Sequence, residues 1–180
     1  GRILVLGGLN FAIFWALLFV SAYRLPGGVA ATVGSVQVLM VVFLSRALLG
    51  TPIRAFAMLA AIVGIGGVAL LLLSGDAALD PLGIAAGIGG AFSMAAGTVL
   101  SRRWRAPVPA LTFTAWQLTA GGLLLLPLVA IFEPSLPSFS YSNAVGLAYL
   151  SIFGAAVTYC LWIRGLDNLP VTVVSTLGFL

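Results

Sequence analysis

The chain has 180 residues, of which 62% are hydrophobic and only 7% charged, with a mean hydropathy of +1.21. Soluble domains keep about a quarter of their residues charged, so a water-wetted surface is excluded and lipid is the expected solvent. The formal net charge of +4 rests on eight arginines at or near expected helix ends, a topology signal that excludes a phosphate-binding face and hence a nucleic-acid partner.

The apolar stretches are continuous rather than alternating, which argues against barrel strands. Only helices and closed barrels satisfy their backbones in hydrocarbon, so an all-α membrane protein, a polytopic helical bundle, is expected. A crossing takes about 20 mainly apolar residues, and six full spans and one partial span can be marked. Span A runs about 3–22 and ends at Tyr23-Arg24-Leu25-Pro26. Span B covers about 27–49 and stops at Gly50-Thr51-Pro52; span C covers about 53–73 and is closed by Ser74-Gly75-Asp76. Span D covers about 81–101, before Arg102-Arg103-Trp104-Arg105. Span E covers about 109–132, span F about 143–163, and span G opens at Pro170. Proline recurs at span starts, where its missing N–H costs nothing. Gly1 and Arg2 lead straight into a span with no signal-peptide pattern. The residues from Pro170 onward cover only about half the hydrocarbon, so the chain reads as a segment of a larger protein.

Numbering the sides alternately from Arg2 puts seven arginines on that side, with Arg24, Asp76, Asp80 and Glu133 opposite. The Arg2 side is therefore expected to be cytoplasmic, in a multi-pass protein of a bacterial inner (plasma) membrane. No catalytic residue, metal site or cofactor is expected: histidine is absent and Cys160 is the single cysteine.

An internal similarity joins span A and its C-terminal flank to span F and the start of span G. In one register Trp15 aligns with Tyr159, Leu25 with Leu169, Pro26 with Pro170, Val29 with Val173, Thr32 with Thr176 and Gly34 with Gly178. The copies are five spans apart, and an odd offset makes them cross the membrane in opposite directions. Inverted repeats of this kind mark transporters, because they permit two mirror-related states open to opposite sides.

Three stretches carry a family resemblance. They are Leu9-Asn10-Phe11-Ala12 through Tyr23-Arg24-Leu25-Pro26, Thr114-Ala115-Trp116-Gln117-Leu118 with Gly121-Gly122, and Tyr149-Leu150-Ser151-Ile152-Phe153-Gly154 through Arg164-Gly165-Leu166. On these the chain resembles the EamA family of the drug/metabolite transporter superfamily. That resemblance implies inverted-topology five-helix repeats and cytoplasmic termini in the intact protein. Residues 1–75 would be the latter three helices of the first repeat, 76–80 an extracytoplasmic linker, and 81–180 the first part of the second repeat, truncated in its fourth helix. Many family members carry Pro after the glutamine of the fourth helix and Gly-Glu at its end. This chain has Val38 and Gly50-Thr51 there, so neither a helix break beside Gln37 nor a cytoplasmic salt bridge at that helix end is expected.

Polar residues inside spans are costly and usually face a bundle interior or a cavity. Asn10, Gln37 and Gln117 are candidates to bind substrate; packing through amide hydrogen bonds is the alternative. Thr112, Trp116 and Thr119 share one helical face by spacing, and Ser93 lies on the small-residue face Gly83, Gly87, Gly90, Ser93, Gly97. That face reads as close helix packing. Phe14, Trp15, Tyr159 and Trp162 occupy the repeat-related spans A and F as candidate cavity aromatics, with lipid or interface contact as the alternative. No charge falls near a span centre, which favours neutral or zwitterionic solutes and transport that is facilitative or coupled through groups outside this segment. The expectation is a non-enzymatic transporter that moves small metabolites, amino acids and aromatic compounds among the candidates, by alternating access in the direction of export. An intramembrane enzyme acting on lipid and a non-transporting membrane subunit are the alternatives. Its partners would be a small-molecule substrate and the lipid bilayer, and a monomer is compatible with the chain.

Overall fold

The computed structural model describes residues 1–52, 80–132 and 140–158, together with residues 59, 63, 64, 66, 67, 70 and 161. Within these residues every regular element is helical. Four helices are long and apolar enough to cross a membrane: α1 Arg2–Arg24, α2 Gly27–Leu49, α3 Pro81–Arg103 and α4 Ala110–Phe132. They match spans A, B, D and E. A fifth helix, α5 Tyr141–Tyr149, continues into a π-helical stretch, Leu150–Val157, and matches the start of span F. Spans C and G lie largely or wholly outside the described residues.

The chain divides into two units. The first comprises Gly1–Pro107 and Trp116–Leu128; the second comprises Val108–Ala115 and Val129–Leu180. In the first unit α1 and α3 pack antiparallel along their whole length. Arg2 stacks over the Trp104 ring at 5.8 Å at one end, and Arg24 pairs with Asp80 at 2.8 Å at the other. The glycines of α3 make this close fit possible. Gly83 faces Leu25, Gly87 faces Val33 and Ser21, Gly90 faces Leu17, and Gly97 faces the Asn10 amide. The small-residue face of span D is thus a packing face, as its spacing suggests.

Leu25 and Pro26 reverse the chain, so α2 runs back beside α3, burying Leu25, Val29, Ala30 and Val33 with Ile84 against them. Helix α2 is interrupted at Val36, where Val36 N–H donates to the Val33 carbonyl and Leu39 N–H to that of Val36. The break stands immediately before Gln37 without any proline. Its local cause is the pair of side-chain bonds before it, Thr32 to the Gly28 carbonyl and Ser35 to that of Thr32; such back-bonding bends helices. The helix ends on Gly50 at φ 70°, a left-handed cap that suits glycine, with Arg46 donating to the Gly50 carbonyl.

Helix α3 starts on Asp80, whose carboxylate accepts from Leu82 and Gly83 N–H ahead of Pro81. The Arg24 guanidinium and the Leu82 N–H hold the Asp80 carboxyl below the ordinary value of 3.8. Helix α4 crosses α1 where glycine meets glycine. A Cβ built on Gly7 would lie 2.8 Å from Gly121 N, and one on Gly121 would lie 2.8 Å from the Gly7 carbonyl oxygen. Of the second unit, α5 begins with Ser140 accepting from Ser142 N–H, and Tyr149 stacks on Phe153 at 5.2 Å.

Candidate functional site

Three helices of the first unit bring neutral polar side chains to one place in an apolar interior. Asn10 on α1 donates through Nδ2 to Gln117 Oε1 on α4 at 2.8 Å and to Ser101 Oγ on α3 at 3.1 Å. Ser101 Oγ in turn donates to Gln117 Oε1 at 3.1 Å, closing a three-membered ring. Asn10 is 7% exposed and Gln117 5%. Buried polar groups are costly in hydrocarbon unless bonded, and here each is bonded to another helix.

Local structure aims the groups. Residues Gly8–Ile13 of α1 are π-helical, a single wide turn of the kind found at functional positions, and Asn10 stands within it. Ser93 Oγ donates to the Leu9 carbonyl at 2.8 Å, tying that turn to α3. Gly97 leaves the space the Asn10 amide occupies, since a Cβ there would collide with Asn10 Oδ1. Beyond this ring Ser21 Oγ is fully buried and has no hydrogen-bond partner among the described residues.

Of the predicted binding residues, Asn10, Ser93 and Gln117 come together. Gln37 is half-buried at the break in α2 and takes no part in the ring; Phe14 is also half-buried. Trp15 is 42% exposed and Trp116 45%. Trp15 heads an outward aromatic ladder with Phe19 at 5.9 Å and Tyr23 beyond it at 6.5 Å. On α4 the buried residues are Phe113, Gln117, Ala120 and Gly121, while Thr112 is half-buried and Thr119 exposed. Tyr159 and Trp162 lie outside the described residues. Ser101 is the member of the ring that sequence reasoning missed. It continues the small-residue spacing Ser93, Gly97, Ser101 on one helical face, which was the available signal.

Chemically, the ring offers amide and hydroxyl donors and acceptors without a titratable group. It can exchange hydrogen bonds with a neutral polar group, and it holds no proton carrier.

Comparison with known proteins agrees with this architecture. Residues 81–180 match the model of the EamA-like transporter family. The chain is 43% identical over 181 residues to Protein PecM of Dickeya dadantii (strain 3937), covering 99% of this chain and 61% of that protein. It is 36% identical over 96 residues to the WAT1-related protein At3g02690, chloroplastic, of Arabidopsis thaliana, covering 49% of this chain and 22% of that protein. It is 24% identical over 175 residues to the uncharacterized transporter YvbV of Bacillus subtilis (strain 168), covering 96% of this chain and 57% of that protein. The chain thus spans less than two thirds of the length of each of these relatives. No solved structure matches it.

Proposed function

Because the chain belongs to the EamA-like transporter family, we propose that it forms part of a secondary transporter that exports small metabolites across the bacterial inner membrane by alternating access. The observation that carries this reading is the buried ring of Asn10, Ser101 and Gln117, which joins α1, α3 and α4 through neutral hydrogen bonds. A solute with amide, hydroxyl or zwitterionic groups can take over those bonds one at a time as it passes. Amino acids fit that description, as do aromatic compounds that carry a hydroxyl or amide group. Among the described residues no acidic or basic side chain stands in the middle of a helix, which favours facilitative movement over proton coupling through this segment.

The arginine distribution supports a cytoplasmic Arg2 side. Arg2, Arg46, Arg102, Arg103 and Arg105 stand at one end of the α1–α3 bundle, while Arg24 is matched by Asp80 at the other. The inverted-repeat reading draws support from the family match, which begins at residue 81, where the second repeat is expected to start.

Counterflow by the intact protein in liposomes tests the function, with radiolabelled amino acids as the first panel. Labelled solute should accumulate transiently against preloaded unlabelled solute, with and without an imposed pH gradient. Binding without counterflow would favour the non-transporting subunit, and sustained accumulation driven by the pH gradient would contradict facilitation.

A further inference from the structure

Two π-helical segments occur among the described residues, Gly8–Ile13 in α1 and Leu150–Val157 following α5. The register that aligns Leu25 with Leu169 aligns Gly8–Ile13 with residues 152–157, so the segments end at equivalent positions. In both turns one carbonyl accepts from a hydroxyl, but from different places. The Leu9 carbonyl accepts from Ser93 Oγ on α3 at 2.8 Å; its counterpart in that register, the Phe153 carbonyl, accepts at 2.8 Å from Thr158 Oγ1, five residues on in its own segment. None of this enters the residue matches that suggested the repeat.

Widening a turn from i+4 to i+5 bonding disturbs the carbonyl ladder, and in hydrocarbon a disturbed carbonyl must find another donor. The two hydroxyls are those donors. We propose that the π-helical turns are the paired bending points of the inverted repeat, and that Ser93 and Thr158 are positioning residues that hold them in π register. The pairing rests on the inverted-repeat reading; the role of Ser93 in α1 does not.

The consequence for the site is geometric. A π turn accommodates one extra residue, so its return to α-helix shifts one half of α1 by one residue, a rotation of about 100° and a rise of about 1.5 Å. Lengthening the helix on the Arg2–Gly7 side would carry Gly8 into the seat of Gly7 against Gly121 and would draw Arg2 off the Trp104 ring. The Phe14–Arg24 half packs on α3 closely at Gly83 and Gly87 and loosely at Gly90, where a Cβ meets nothing closer than 3.5 Å, and in the proposed motion it is this half that moves. Reversion alters the setting of Asn10 within the ring, which couples the ring to rotation of the upper helix.

Disulfide register mapping in the intact protein, with Cys160→Ser as background, tests this without a known substrate. A Cβ built on Gly90 lies 3.5 Å from Leu17 Cβ, inside the range a disulfide needs. Leu17→Cys with Gly90→Cys should cross-link readily on oxidation. Ser93→Ala should lower that yield by about threefold or more as the Cβ atoms separate, while Ala16→Cys with Gly90→Cys rises. Ser93→Thr should restore the original pattern. Deleting Ile13, the exposed last residue of the turn, removes the extra residue; the 17–90 yield should then persist and become insensitive to Ser93→Ala. A 17–90 yield unmoved by Ser93→Ala, or lost when Ile13 is deleted, overturns the proposal. These cross-links report α1 alone, so failure of the repeat reading shows separately, as same-sided labelling of the two repeat copies.

Discussion

At the scale of single residues, the ring of Asn10, Ser101 and Gln117 and the lone Ser21 make opposite predictions. Interhelical polar bonds in membrane bundles are worth about 0.6 kcal/mol on average and up to about 1.7 kcal/mol. Gln117→Leu removes the shared acceptor of both donors and should cost about 1–2 kcal/mol. Ser101→Ala should cost less, because the Asn10–Gln117 bond of 2.8 Å survives it. Thermal unfolding in detergent measures both, and the order Gln117→Leu worse than Ser101→Ala is the outcome to check. Ser21 carries a buried hydroxyl with no partner among the described residues, so Ser21→Ala should be neutral or stabilising by up to about 1 kcal/mol. A clear loss of stability would mean the hydroxyl is bonded in the membrane.

The ion pair at the other end of α1 has a definite pH signature. The folded carboxyl of Asp80 is held below its ordinary value of 3.8, chiefly by the hydrogen bond from Arg24. Its contribution to stability is therefore complete above that ordinary value and is lost as pH falls through the lower folded value. Unfolding temperature measured down the acid range should drop there in the native chain. Asp80→Asn keeps an N-cap acceptor and should remove the part of the drop that belongs to the pair.

At the scale of elements, helix packing separates glycines that share one sequence pattern. Gly97 and Gly90 both lie on the small-residue face of α3, yet their surroundings differ. A Cβ on Gly97 drives into the Asn10 amide, whereas one on Gly90 meets only ordinary contacts. Gly97→Ala should destabilise by about 1–3 kcal/mol through overpacking and uncouple Asn10 from Gln117. Gly90→Ala should leave the unfolding temperature nearly unchanged. Gly121→Ala belongs with Gly97→Ala, because its Cβ would meet the backbone of α1 at Gly7, which has no side chain to move aside.

At the scale of the whole molecule, the α1–α3 pairing constrains the path of the chain. Gly50 closes α2 at the Arg2 end of the bundle, and Asp80 opens α3 beside Arg24 at the other. Among the residues between them, Gly64 packs on Leu39 of α2. Single cysteines provide the check. In a Cys160→Ser background, Gly27→Cys should react with an impermeant maleimide from outside intact cells, and Thr51→Cys should react only after the membrane is opened. The reverse pattern would invert the orientation drawn from the arginines.

Composition alone determined that this chain lives in lipid as helices, because 7% charge cannot wet a soluble surface and continuous apolar runs leave only helices to satisfy the backbone. Punctuation by Pro26, Gly50 and Pro81 marked where the spans begin and end, and α1 to α4 follow those marks. The family was legible too, from motifs around Asn10 and Gln117. The inward face of each helix was not. In hydrocarbon an apolar residue is equally at home toward lipid or toward a neighbour, so Trp116 and Gln117 were both plausible and only packing against Gly7 and Asn10 decided for Gln117. The π-helical turns were likewise silent in the sequence, since one extra residue in a turn changes no residue type. At the turn in α1 a tertiary contact accompanies the change, because Ser93 on another helix supplies the donor that the Leu9 carbonyl accepts.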